Sequence, residues 1–560
     1  MGVFLLPTKL CNELNSLCAR FWWGKIGDER KIHWKSWNFL TKQKREGGMG
    51  FRDIRSFNLA MLAKQGWRLL QDQNSLLSRC FKAKYFPRCS FLEATDCPNS
   101  SYVWKSVLAA QNILQAGCFW RVGTGSSIQV LEDKWIPNHL ENKVLFQLEN
   151  DEWEWRVSDL IDWSVQQWDR ERIYMLFNQF DAAAILKIPL SKRQVQDRLV
   201  WKFCRDGKYM VKSGYHVTCR LYDDTNGREE SSVQRNDHKI WKQLWQLHVP
   251  NKIKVFGWRA CLNILPSKVN LVRRQVLQED KCEFCQRCSE TIIHALWDCG
   301  ATQDVWAGSV ARIQKSGGKF DDFMQLFQVM MAKLSMEELE TFLVQSWLIW
   351  HRRNIVLFGS KMQHPGQLNQ RVTDLLREYR EAQSSLAVPL VRPSSLQNWK
   401  PPAGQLFKLN FDAAIFENGS GVGPVIRNAT REVMAALSAR GEAVVDSEEA
   451  KVRAYRKALE FAIDVGFSEL MVEGDNSVVM STISSNKPNW SRLGVIYDDI
   501  GYLAANLSYV SFSCIRRNAN SVAHSLARYA NELVEEVVWL EDSPPPAHEP
   551  LYLDLSFLNE

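Results

Sequence analysis

Cys282-x-x-Cys285, followed by His294 and Cys299, gathers three thiols and one imidazole in one short stretch. That is the ligand set of a closed tetrahedral zinc site, which stabilises a fold and leaves no open position for catalysis. Cys288 offers a second pair at the same spacing, Cys285-x-x-Cys288, and a cluster of reduced core cysteines with a chance histidine is the bland alternative. Immediately upstream, residues 251–277 carry Lys252, Lys254, Arg259, Lys268, Arg273 and Arg274 with no acidic residue, and Phe256 and Trp258 are interleaved. Cations to neutralise phosphates beside rings to stack on bases suit a nucleic-acid partner, whereas a solvated helix face over a buried Trp explains the same residues without one. A third set is Asp412 and Asp475, one inside and one at the end of a strand-like segment. Carboxylates converging from adjacent strands hold paired divalent ions about 3.5–4 Å apart for phosphodiester cleavage. Aspartate is also common at strand ends for turn chemistry alone. Two look-alikes are set aside. Tyr497-Asp498-Asp499 sits in a helical pattern with Ile496, Ile500 and Leu503, and Gly123-Thr124-Gly125 lacks the third glycine of a dinucleotide loop and reads as a turn.

The elements that must position these residues differ along the chain. From residue 406 the pattern is that of an α/β domain of about 130 residues. Lys408–Ala413 alternates, Gly421–Arg427 and Glu432–Ala436 flank a turn at Asn428-Ala429, and Leu470–Asp475 and 510–514 supply a fourth and fifth strand. A helix starts near Asp446, whose spacing to Glu449 resembles a capping box, with Ala450, Ala454, Ala458, Leu459, Phe461 and Ala462 as its apolar stripe. The last helix is expected over about Asn520 to Val534, and Pro544-Pro545-Pro546 is expected to stop any helix before it. Upstream, a helix is expected around Phe57–Trp67, a polar loop over 217–237 and a proline-rich linker from Val388 to Pro402.

Length and composition bound the class. At 560 residues, about 150 per domain suggests three or four domains. Of 23 tryptophans, 20 precede residue 399, and 13 of 14 cysteines precede residue 300, so the C-terminal quarter is a different object. The net charge of +7 is too small to prove a nucleic-acid partner by itself. No apolar run approaches the roughly 20 residues of a membrane span, and the N-terminus lacks a signal-peptide pattern. The expectation is an intracellular chain, nuclear or cytoplasmic, with reduced or metal-bound cysteines.

Together these residues carry a resemblance. Cys282-Glu-Phe-Cys285 to His294-Ala-Leu-Trp-Asp-Cys299, with Trp306 beyond, resembles the zinc-binding region of plant non-LTR (LINE-type) retrotransposon reverse transcriptases. Asp197–Trp201, Gly207 and Val211–Tyr215 fit the approach to it. Phe21–Gly24, Gly47–Phe51 and Asn58–Gln65 are similar to the segment after the polymerase core, and Trp350–Asn354 to a helical connector. Asn410–Ala413, Glu473-Gly474-Asp475 and Asn520–Ala527 resemble the plant RNase H-like domain. The resemblance implies a multidomain protein: α-rich N-terminal and zinc-binding regions plus a C-terminal α/β RNase H-like domain, a five-stranded mixed sheet flanked by helices. Its expected segments are 1–140 post-polymerase region, 141–237 connector, 238–315 zinc-binding domain, 316–402 helical connector and linker, 403–535 RNase H-like domain and 536–560 tail. Nothing matches a polymerase palm, so no DNA synthesis is expected.

The same resemblance implies structural zinc on Cys282, Cys285, His294 and Cys299, and magnesium on Asp412 and Asp475 in an active site that cleaves RNA in RNA–DNA hybrids. Asp412 and Asp475 match the first and third carboxylate positions; Lys451 stands where the family has a Glu, and His524 at the fourth position. Lys451 precedes Ala454, Ala458 and Ala462 by three, seven and eleven residues, so it shares the stripe facing the sheet, where its charge opposes a metal. Glu448 and Glu449 are rotated from it by about 300° and 200° around the helix. The expected function is nucleic-acid binding, to RNA or an RNA–DNA hybrid, with hydrolysis impaired. The alternatives are an active magnesium-dependent hybrid ribonuclease and a decayed remnant.

Overall fold

The computed structural model describes residues 1–24, 31–145, 155–225, 234–314, 318–359, 361–386, 398–485 and 487–556. The chain divides into two compact units, one of Met1–Leu5, Ser56–Thr225 and Pro393–Glu560, the other of Leu6–Arg55 and Asn226–Arg392.

The first unit is built on a mixed sheet. Its strands are β1 (Phe407–Phe416), β2 (Gly419–Arg427), β3 (Val433–Gly441), β4 (Glu469–Gly474), β5 (Tyr509–Cys514) and β6 (Val537–Leu540), in the order β6-β3-β2-β1-β4-β5. β1, β2 and β3 form an antiparallel meander, β4 runs parallel to β1, β5 parallel to β4, and β6 antiparallel to β3. The sheet thus has six strands rather than the five expected. The sixth comes from 536–560, read as a tail, which also supplies helix α5 (His548–Ser556). The prolines at 544–546 stop no helix; a 3-10 turn at Pro545–Ala547 leads directly into α5, because proline's fixed φ suits a first helical turn.

Helix α1 (Ser447–Asp464) joins β3 to β4. Asp446 caps it, accepting from the Glu449 N–H at 2.8 Å, while the Glu449 carboxylate reaches the Val445 N–H at 3.2 Å instead of closing a capping box. Ala454, Ala458, Leu459 and Ala462 are buried with Leu409, Phe411 and Val472, and Tyr455 stacks on Phe411 at 4.7 Å between ring centroids. Helices α2 (Ser477–Ser484), α3 (Gly494–Ala505) and α4 (Ser521–Tyr529) complete the layer scheme. α4 lies so close to β2 that a Cβ on Gly423 would meet the Ala527 backbone nitrogen at 2.3 Å, which explains glycine in mid-strand.

Within this unit the segment before residue 225 packs onto the sheet domain. Arg121 donates to the Asn489 carbonyl at 2.9 Å and to Asp498 at 3.2 Å. Asp499, only 2% exposed, accepts from Ser191 Oγ at 2.5 Å, the Lys192 N–H at 3.0 Å and Arg456 at 3.0 Å. The Tyr497-Asp498-Asp499 run is therefore helical, on α3, and its carboxylates are docking anchors. From Gly123-Thr124-Gly125, read as a turn, to Ser127, the backbone N–H groups of Gly123, Gly125 and Ser127 converge on Asp197 at 2.7, 2.7 and 2.9 Å.

The second unit is a helical assembly around Trp258, Trp306, Phe342 and Leu343, with helices Gln234–Gln246, Asn251–Cys261, Phe323–Lys333, Met336–Leu357 and Pro365–Leu386. The polar stretch 217–237 is not a loop where it is described. Val211–Thr225, in the first unit, and Gln234–Gln246, in the second, are helices; the former buries Val217 and Thr218 and packs Leu221 on the first unit's core. Asn226-Gly227 and most of the proline-rich linker lie outside the described residues. Among the described residues no helix is long and apolar enough to cross a membrane.

Candidate active-site cleft and metal centre

The sheet brings Asp412 and Asp475 to one point. Asp412 sits in β1 opposite Gly423 of β2, and β4, parallel to β1, ends one residue before Asp475. The Asp412 side chain is 1% exposed and that of Asp475 14%. Lys451, from the sheet-facing stripe of α1, places its Nζ between them, in direct contact with Asp412 Oδ1 and donating to Asp475 Oδ1 at 2.6 Å. Burial pushes the Lys451 amine below its ordinary value, against the opposing pull of Asp475. Asp412 Oδ1 also accepts the Ala413 N–H at 2.7 Å.

His524, on α4, sets its Nδ1 2.8 Å from Asp412 Oδ2, and its Nε2 faces an Arg517 nitrogen at 3.4 Å. Because arginine only donates, this assigns the proton to Nδ1. Burial, then Arg517, Arg528 and Lys451, hold the imidazole below its usual pKa. The four side chains line an open cleft of about 1070 Å³ shared with Asn476, Arg517, Ser525 and Arg528. The neighbouring glutamates stay out of it. Glu449 is bound by Arg453 at 2.9 Å and Arg492 at 2.8 Å, and Glu448 by Arg205 at 2.5 Å.

In the second unit, Cys282, Cys285, His294 and Cys299 place their ligand atoms within 4.8 Å of one another. Cys282 Sγ and Cys299 Sγ are 3.9 Å apart, and Cys285 Sγ and His294 Nε2 3.4 Å, close to the edges of a tetrahedron with bonds of about 2.0–2.3 Å. A π-helical turn, His294–Asp298, returns the Cys299 N–H to the His294 carbonyl at 2.9 Å. Its wider pitch lets residues five apart point the same way, which an α-turn would prevent. Cys288 is exposed and outside the cluster; its carbonyl accepts the Cys282 N–H at 2.9 Å. Backbone N–H groups of Arg287 and Cys288 bring the Cys285 thiol down to about 6, while burial pushes Cys299 up to about 12. Glu290, fully buried, ties this knuckle to Arg353 of helix Met336–Leu357 and to the Lys268 N–H at 3.0 Å. Sequence reasoning flagged Arg353 only within a motif; the acid it pairs with, 63 residues away, carried no signal.

The basic stretch is divided by the fold. Trp258 is wholly buried and donates to the Gly47 carbonyl at 2.7 Å, and Phe256 is buried beside it, so neither offers a face to a base. Arg259 lies over Trp23 at 5.5 Å, Lys252 over Trp347 at 4.7 Å, and Lys268 pairs with Glu283 at 2.6 Å. Lys254 is half-buried, whereas Arg273 and Arg274 stand exposed.

Comparison with known proteins follows this layout. Residues 209–306 match the family model described as zinc-binding in reverse transcriptase, and residues 410–530 the one described as reverse transcriptase-like. An Arabidopsis thaliana protein named "Putative ribonuclease H protein" is 24% identical over 95% of this chain and 86% of its own length. An uncharacterized mitochondrial protein of the same plant is 39% identical over 24% of this chain and 89% of its own length. Among solved structures, RNase H1 from the archaeon Halobacterium salinarum matches 22% of this chain and 97% of its own at 25% identity, with a TM-score of 0.21. LC11-RNase H1 in complex with an RNA/DNA hybrid matches 22% and 96% at 21% identity, with the same score. With the zinc-binding region, the RNase H-like domain and a plant relative covered almost end to end, the chain belongs to the family of proteins derived from plant non-LTR retrotransposon reverse transcriptases.

Proposed function

We propose that this protein binds nucleic acid through an RNase H-like domain whose hydrolytic centre is closed by its own lysine. The observation that carries the reading is Lys451 Nζ held between Asp412 and Asp475. Phosphodiester hydrolysis of this type needs carboxylates free to hold divalent ions. Here both are engaged by a buried cation, and a divalent ion entering beside it meets like charge at contact distance. Magnesium does not fit this arrangement. The cleft keeps Arg517 and Arg528 on its walls, which suits the phosphates of RNA or of an RNA–DNA hybrid.

The test is cleavage of a labelled RNA–DNA hybrid with magnesium, alongside binding of the same hybrid. The expected outcome is salt-dependent binding without cleavage, and a gain of cleavage in Lys451→Glu. Robust cleavage by the unaltered chain, abolished by Asp412→Asn, would sink the proposal. It would establish the second reading, an active hybrid ribonuclease, which the convergence of Asp412 and Asp475 beside His524 favours.

In the other unit the proposed ligand set is Cys282, Cys285, His294 and Cys299 around one structural zinc, their four atoms fitting its tetrahedron. Metal analysis should find about one zinc per folded chain, lost on replacing Cys282 and Cys285 by serine; folded protein without zinc would refute it.

A further inference from the structure

Residues 31–45 contain Lys31, Lys35, Lys42, Lys44 and Arg45 and no acidic residue, together with Trp34, Trp37 and Phe39. The fold of the second unit brings this segment against parts of the chain 200 residues away. Lys35 and Lys42 both lie over the Phe39 ring, at 4.9 and 5.9 Å from its centroid. Lys44 lies over Trp245 at 4.5 Å, Lys254 donates to the Trp245 carbonyl at 3.0 Å, and Arg274 lies over Trp34 at 5.8 Å. Trp34, Phe39 and Trp245 are half-buried, each packed against the core cluster. In this strip, cations from two segments gather on and beside three anchored rings.

We infer that this strip is a docking surface for single-stranded nucleic acid. The inference rests on the nucleic-acid-binding reading above but uses different residues in the other folded unit. Among the described residues, Lys35, Lys42, Lys44 and Arg274 make no ion pair with a carboxylate. Burial first, and then the nearby Lys44, hold Lys254 below its ordinary value against an opposing pull from Glu340. A phosphate backbone supplies the counter-charge that Lys35, Lys42, Lys44 and Arg274 lack. The rings supply the second half of the recognition. A lysine that leaves a ring for a phosphate uncovers a face on which an unpaired base stacks, at about 1–3 kcal/mol per base. Bases in a duplex are stacked on one another and cannot use such faces, so the strip favours a single strand.

The experiment measures binding of a fluorescent mixed-sequence single-stranded RNA, a duplex DNA and an RNA–DNA hybrid to the full chain across a salt series. Two variants are compared: the quadruple K35Q/K42Q/K44Q/R274Q, which alters two half-buried and two exposed cations, and Phe39→Leu, which keeps every charge. Retained zinc content and circular dichroism establish folding. For the single strand, the quadruple variant should bind at least tenfold more weakly at 0.1 M salt, with the slope of log K against log salt reduced by about 3, from about 0.7 per phosphate contact. Phe39→Leu should weaken single-strand binding about fivefold or more, as loss of one stacked base predicts, without changing the slope. If single-strand affinity and slope are unchanged in the quadruple variant while the hybrid still binds, this inference falls and the function proposed above stands. Equal losses on single strand and duplex, with Phe39→Leu silent, also overturn it. Absence of binding to all three overturns both readings.

Discussion

Asp412 and Asp475 point like charges at one place, and Lys451 answers both. Replacing it by methionine leaves two neighbouring carboxylates facing each other without a counter-charge. Removing one partner of a buried ionic cluster costs about 3–5 kcal/mol, so Lys451→Met should lower the urea midpoint of the sheet domain markedly. Magnesium should restore part of that loss, because the ammonium that opposes a divalent ion is gone, while the unaltered chain should be insensitive to magnesium. A variant as stable as the parent would place the carboxylates' compensation elsewhere. His524 gives a second measurement. Burial, Arg517, Arg528 and Lys451 depress its pKa, so the folded state takes up its proton at lower pH than the unfolded state does. Its contribution to stability is full above about 6.5 and declines as pH falls through the folded value. The imidazole resonance should titrate below about 6.5, and Arg517→Gln should move it upward; no movement would remove Arg517 as a cause. Lys451 was legible in the sequence because helical spacing ties it to Ala454, Ala458 and Ala462. Asp499 was not, since its partner Ser191 lies 308 residues away and no periodicity connects them.

The elements of the sheet domain were legible where local rules decide them. Alternation marked β1 and β5, a turn at Asn428-Ala429 set off β2 and β3, and Asp446 marked the start of α1. β6 escaped because it has only four residues, alternately half-buried and exposed, after a polar stretch. What fixes α5 is a buried network that sequence could not show. Arg427 of β2, 1% exposed, lies 3.6 Å over the Trp399 ring and donates to Asp554 of α5 at 2.7 Å. Trp399 donates to Asn410 at 2.8 Å, which in turn donates to Glu473 at 3.1 Å. The domain is therefore held at both ends, from before β1 and from after β6. Asp554→Ala strands a buried guanidinium and should cost about 3–5 kcal/mol, whereas pairing Arg427→Met with Asp554→Leu should be far milder than either change alone. Denaturant unfolding of the single and double variants measures the coupling; additive losses would mean that the pair does not act as one unit.

On the scale of the whole molecule, the tryptophan and cysteine skew suggested a boundary near residue 400, but the folding boundary runs elsewhere. One unit joins residues 56–225 to the sheet domain, because Arg121, Ser191 and Arg205 anchor on α1 and α3. Composition sees only what each segment contains, not what it packs against. This division sets the expectation for metal removal. Zinc-site binding energy is folding energy for the residues it closes, and here the site also leans on the Glu290–Arg353 pair and helix Met336–Leu357. Chelation should therefore loosen the knuckle first. Hydrogen exchange followed by mass spectrometry should show protection lost in peptides spanning 282–306 and retained in β1, β2 and β3. The buried Asp412–Lys451–Asp475 cluster in the sheet domain contains no member of the thiol site, so nothing in its stability should follow the chelator. Loss of protection across both units at the same chelator concentration would refute that separation, and full protection of 282–306 after zinc is removed would refute the structural role of the metal.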